Sequence, residues 1–127
     1  MSEPTKQQID QADRLQKAGL CQNSEQWILN RYKTQDYSIQ KKTYAGSPWF
    51  ITGPLPTFEE VWVELQPLLR EKNLEMPLTG YAFFLIQRDK IVLRQYHFEN
   101  HTPTTAAIEA LLLLKAASGK QILTKGE

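Results

Sequence analysis

Residues 53–73 read GPLPTFEEVWVELQPLLREKN, and this one helical pattern organises the chain on either side of it. Thr57 followed by Glu60 is a capping box, in which hydroxyl and carboxylate each satisfy an otherwise orphan backbone N–H. Phe58, Val61, Trp62, Leu65, Leu68 and Leu69 then recur at i, i+3, i+4, i+7, i+10 and i+11, one apolar face of a helix. Pro67 removes the hydrogen bond to the Val63 carbonyl and predicts a kink in the last turns. Pro77 bars any continuation. Glu59, Glu60 and Glu64 are explained by their place at a helix N-terminus, where capping and the macrodipole favour acids. They do not need to be paired catalytic carboxylates.

Upstream, QWILNRYK, DYSIQKKTY and PWFIT, within residues 23–52, are aromatic, β-branched and polar by turns. Thr34-Gln35-Asp36 and Ala45-Gly46-Ser47-Pro48 read as turns between them. The segment predicts two or three antiparallel strands, although Ser24-Glu25-Gln26 also suits the start of a short helix carrying Trp27 and Ile28. Further upstream, Thr5 is placed as an N-cap and Gly19 as a helix stop. The stripe of Ile9, Ala12 and Leu15 is thin, which predicts a helix with little buried area.

Downstream, TGYAFFLIQ and KIVLRQYHFE form a hairpin closed by Arg88-Asp89, its first strand apolar on both faces and therefore central in its sheet. A last helix starts near Thr102 or Pro103 and stops at Ser118-Gly119. The expected fold is α+β: a single antiparallel sheet of four to five strands, with an N-terminal helix and two longer helices packed on it. One globular domain is expected over residues 1–127, frayed at 1–4 and 120–127.

Composition excludes several classes of function. A chain of 127 residues with net charge +1 has no strong field to recruit nucleic acid or membrane. Cys21 is the only cysteine, so there is no intrachain disulfide and no multi-cysteine metal site. The polar start MSEPTKQQIDQADRLQK has no apolar export signal, which leaves Asn100-His101-Thr102 a chance sequon. The apolar run from Ala106 to Leu114 is interrupted by Glu109 and is under half the length that spans a bilayer. A cytoplasmic protein without a membrane partner is expected.

Four features carry candidate chemistry. His97, Glu99 and His101 are the weak candidates for a metal site. On a helix, His97 and His101 would share one face, but Pro103 starts the helix after them. On a strand they lie about 13 Å apart, too far to share an ion alone. No metal and no cofactor is expected. Arg31, Tyr32, Lys33, Tyr37, Lys41, Lys42 and Tyr44, with Trp27, interleave cations and aromatics as a single-strand nucleic-acid binder requires. Lysines on a strand's solvent face also simply blunt edge pairing. On the last helix, Ile108, Leu112 and Leu113 spread around the cylinder beyond the face of Ala106, Ala107, Ala110, Leu111, Leu114 and Ala117. They are candidates for a partner or homodimer contact, against the plainer expectation of an internal core. A thiol enzyme built on Cys21 with either histidine has no supporting arrangement. Gly119-Lys120 lacks the spaced glycine of a phosphate loop.

Strands, then PLPTFEEVWVELQPLLREKNLEM, then a hairpin, then HTPTTAAIEALLLLKA resembles the small prophage proteins of the phage ABA-sandwich type. Pro56, Thr57, Trp62, Leu69 and Arg70 match, followed by Thr104, Ala106, Ala107, Ala110 and Leu111, over residues 49–117. Pro67 and the basic, aromatic segment 23–44 depart from that pattern. The resemblance implies a phage or mobile-element context and brings no activity with it. The expected function is therefore a small non-enzymatic protein acting through protein–protein interaction, in an accessory or counter-defence role. The alternatives are a nucleic-acid-binding module at 27–44 and, after it, a metal-dependent or thiol enzyme.

If a second copy covers Leu112 and Leu113, each leucine contributes about 1.5–3 kcal/mol to association. Leu112→Glu then yields a folded monomer by light scattering. An unfolded variant would instead assign Leu112 to the core.

Overall fold

The computed structural model describes residues 3–32, 34–87 and 91–116. Among these residues ten elements follow one another, beginning with α1, Lys6–Ala18. Thr5 caps it by accepting from the Gln8 N–H at 3.1 Å, while the Gln8 side chain accepts from the Thr5 N–H at 2.8 Å. Gly19 stops it in the left-handed region at φ 70°. Both ends fall where the capping pattern places them.

Three strands come next: β1, Gln26–Arg31, β2, Tyr37–Lys41, and β3, Trp49–Pro54, with a single 3-10 turn at Lys42–Tyr44 before β3. They form an antiparallel sheet in the order β2-β1-β3. Ser24 to Gln26 does not start a helix. The Ser24 hydroxyl donates to the Cys21 carbonyl at 2.8 Å, and the Ser24 carbonyl accepts from the Trp27 indole at 2.8 Å, which turns the chain into β1. Trp27, Ile28 and Leu29 are all fully buried, so β1 is covered on both faces.

The packing of α1 departs from the thin contact its stripe predicts. Gln11, Ala12 and Leu15 are buried. At Gly53 on β3, a Cβ would collide with the Ala12 carbonyl, so helix and strand touch backbone to backbone. Only glycine permits that approach.

α2, Phe58–Glu71, carries the capping box: the Thr57 N–H donates to Glu60 Oε1 at 2.8 Å and the Glu60 N–H to Thr57 Oγ1 at 3.2 Å. Glu60 Oε2 also accepts from the Glu25 N–H at 3.1 Å, tying the helix start to the entrance of β1. Val61, Leu65 and Leu69 form its buried face. The helix ends before Pro77 is reached, with Asn73 in the left-handed region at φ 56°.

β4, Leu74–Glu75, β5, Ala82–Gln87, and β6, Val92–His97, form a second antiparallel sheet in the order β4-β5-β6. Arg88 and Asp89, expected to close the hairpin, lie outside the described residues, as do Ala117, Ser118 and Gly119. α3, Pro103–Ala116, closes the order. Thr102 and Thr105 cap it reciprocally, each backbone N–H donating to the other's hydroxyl at 2.9 and 3.1 Å. α3 packs on β5, and Ala106, Ala107, Ile108, Ala110, Leu111 and Leu114 are buried.

The expectation of a single sheet of four to five strands is therefore corrected: the chain makes two separate three-stranded sheets. The physical reason lies in the central strands. β1 spends its hydrogen bonds on β2 and β3, and β5 spends its own on β6 and on β4, whose two residues are too short for any periodic signal. The described residues correspondingly divide into two compact units, one up to Glu60 and one from Val61.

Gly53→Ala is expected to destabilise the first unit by about 1–3 kcal/mol, the ordinary cost of overpacking. Urea unfolding of the variant beside wild type measures it.

Candidate functional site

The register of the first sheet sets out its candidate site. Ile39, Ile28 and Gly53 lie in one row across β2, β1 and β3, and Tyr37, Asn30 and Phe50 in another. Residues paired in this way point to the same face, and Ile28 and Asn30, two apart on β1, share it as well. α1 rests on the first row because Gly53 has no side chain. Over the second row the rings of Tyr37 and Phe50 occupy the space, and a hollow of about 600 Å³ opens beneath Ile9, Asp10 and Asp13 of α1.

Its rim is apolar and wet. Tyr32, Phe50 and Ile51 are 59%, 48% and 37% exposed, values high for side chains so large. The Tyr32 and Phe50 rings meet at 5.6 Å between centroids, tilted by 59°. The backbone holds Tyr32 there: its N–H donates to the Pro48 carbonyl at 2.7 Å. Asn30 is one of the residues lining the hollow, and its Oδ1 is buried with no hydrogen-bond partner among the described residues. A buried acceptor without a donor is costly to the fold alone, which makes it a pointer to a ligand or water. Asp10 and Asp13 are each paired along α1, Asp10 with Arg14 at 2.7 Å and Asp13 with Lys17 at 2.9 Å. Both pairs are exposed and hold their carboxylates weakly.

The residues proposed for nucleic acid separate into two groups. Arg31, Tyr32 and Tyr37 line this hollow. Lys41 and Tyr44 line another hollow with Glu25, at the far end of the strand ladder, about 13 Å along β2 from Tyr37. Lys42 stands over the Trp27 ring at 4.5 Å, where it shields a buried indole. Lys33 lies outside the described residues. Among the described residues, these cations do not line one continuous stripe.

The histidines sit in the second unit. His97 ends β6 and stacks on Tyr81 at 6.0 Å, while His101 meets the edge of Tyr96 at 5.6 Å. His101 Nδ1 lies 3.5 Å from the Thr105 hydroxyl. Among the described residues, no three His, Cys, Asp or Glu side chains gather where they could hold a metal ion. Cys21 is buried at a left-handed turn, φ 56°. Of the partner candidates, Ile108 is 3% exposed, and Leu112 and Leu113 are intermediate. Among the described residues, no helix is long and apolar enough to cross a membrane.

Asn30, Phe50 and Gly53 were not singled out by sequence. The one available signal was a polar residue directly after the apolar run Trp27-Ile28-Leu29, and it marks Asn30 alone.

Tyr96 lies between β6 and α3, and its acidity is perturbed. Burial, reinforced by the Glu109 carboxylate and only partly opposed by Arg94, pushes its phenol up from 10.0 to about 12. That makes it a half-buried neutral hydroxyl rather than a poised acid or base. The folded state holds the proton more tightly than the unfolded one. This contribution to stability is therefore complete below pH 10 and is lost as pH rises from there through about 12. Tyr96→Phe should flatten that alkaline decline in urea unfolding measured across the same window.

Searches against protein-family models, curated proteins and solved structures gave no match to this chain.

Proposed function

We propose that the chain is a binding protein, acting without catalysis on another protein through the groove between α1 and the first sheet. One observation carries this: Tyr32 and Phe50, two large rings in contact and about half exposed, line a concave site together with Ile51. Contiguous exposed apolar surface around a hollow of this volume is the usual signature of a recognition site. Burying a phenylalanine of this kind contributes roughly 1.5–3 kcal/mol, and aromatic anchors dominate most interfaces. The resemblance of residues 49–117 to prophage proteins supports a partner from a phage or its host. A protein partner is favoured over a single nucleic-acid strand because the cations needed to follow a phosphate backbone sit at opposite ends of the sheet.

The test compares wild type with Tyr32→Ser/Phe50→Ser in quantitative capture from host lysate, with circular dichroism showing that both fold. A partner retained by wild type and lost from the variant, at least about tenfold weaker by titration, is the expected result. The same proteins captured equally by both would overturn the proposal.

A further inference from the structure

The groove does not end at Tyr37. A second hollow of about 520 Å³ meets it at Ile9 and Tyr37, extending past Lys6 and Glu3 on one wall and Asp36 and Trp49 on the other. The combined channel follows α1 from Lys6 to Asp13, about 10 Å at the helical rise, and continues along the non-helical residues before it to Glu3. The helical part alone suits about three residues of extended chain, and the stretch before it accommodates more.

Three features of this channel select the chemistry of its occupant. Its charged lining is Glu3, Asp10, Asp13 and Asp36 against Lys6 and Arg31, four acids to two bases. Its walls include the aromatic residues Tyr32, Tyr37, Trp49 and Phe50, and aromatic rings attract cations over their faces. Asn30 Oδ1, buried and without a partner among the described residues, calls for a hydrogen-bond donor. A lysine ammonium or an arginine guanidinium answers all three, since each is a cation with donors and no acceptor. Arg14 and Lys17, which now hold Asp10 and Asp13, belong to exposed i,i+4 pairs and do not line the channel. Such pairs contribute little and exchange readily for an incoming cation.

We infer that the channel receives an extended polypeptide segment of the partner that places a lysine or arginine side chain between the aromatic rings and the α1 carboxylates. This rests on the binding function proposed above and specifies its ligand. The cation enters beside Asn30, and the flanking backbone lies along α1.

Random peptides of about seven residues are selected on the immobilised full chain and sequenced, in parallel on Phe50→Ser and on Asp10→Asn/Asp13→Asn/Asp36→Asn. Circular dichroism establishes that the variants fold; all four substituted side chains are exposed or at the rim. The expected result is enrichment of Lys or Arg at one position, abolished by Phe50→Ser, with affinity about tenfold lower on the triple variant. Enriched sequences that depend on Phe50 but carry no basic residue would overturn the cationic occupant and leave the binding proposal standing. Basic sequences bound equally by the triple variant would overturn the role of the carboxylates, and with it this inference. No sequence dependent on Phe50 would overturn both.

Discussion

The backbone contact between Ala12 and Gly53 governs the first unit. A helix ordinarily stands off a sheet by the length of the side chains between them, and here one position has none. α1 therefore descends onto β3 at that row, and the bulkier row of Tyr37, Asn30 and Phe50 is where the hollow opens. The groove results from a single missing Cβ beside two large rings. It needs no special loop.

Helix ends were the most legible part of the fold, because capping is local chemistry. Thr5 with Gln8, Thr57 with Glu60 and Thr102 with Thr105 all make reciprocal bonds within three residues. The seven longer strands and helices from Gln26 onward also follow from periodicity. Sheet membership does not, because it depends on which edge each strand finds, and pairing partners leave no mark on a strand's own pattern. β4 is the sharpest case: two residues, Leu74 and Glu75, complete the second sheet. Of the site, Arg31, Tyr32 and Tyr37 were legible as an aromatic and basic cluster. Their partners Phe50 and Asp10 were not, since they are joined to it only by register and by the seat of α1.

The last helix shows how an apolar run settles into a core. Alanines at 106, 107 and 110 let it close on β5, while Leu111 and Leu114 fill the space beside them. Ile108 is buried as well. Leu112 and Leu113 keep part of their surface in water, as one face of an apolar helix must when the core has no more room. The two histidines are absorbed in the same way. Each lies against a tyrosine, and the Tyr96 phenol beside His101 is held neutral by its surroundings.

Folding and recognition draw on different residues in the first unit. Leu15, Ile28, Leu29 and Trp27 are sealed from water, and Gly53 is fixed by the helix above it, so changes there are read mainly as stability. Tyr32 and Phe50 are about half exposed, and the fold gains little from rings left in that state. A side chain that costs solvation without returning core packing is retained most economically where something else covers it. Asn30 argues the same way from the polar side, since its buried acceptor is a cost until a donor arrives. Exposed apolar side chains on the rim and a buried acceptor with no partner among the described residues thus converge on a single groove. What would satisfy both at once is a ligand that brings a hydrophobic stem and a charged donor at its tip.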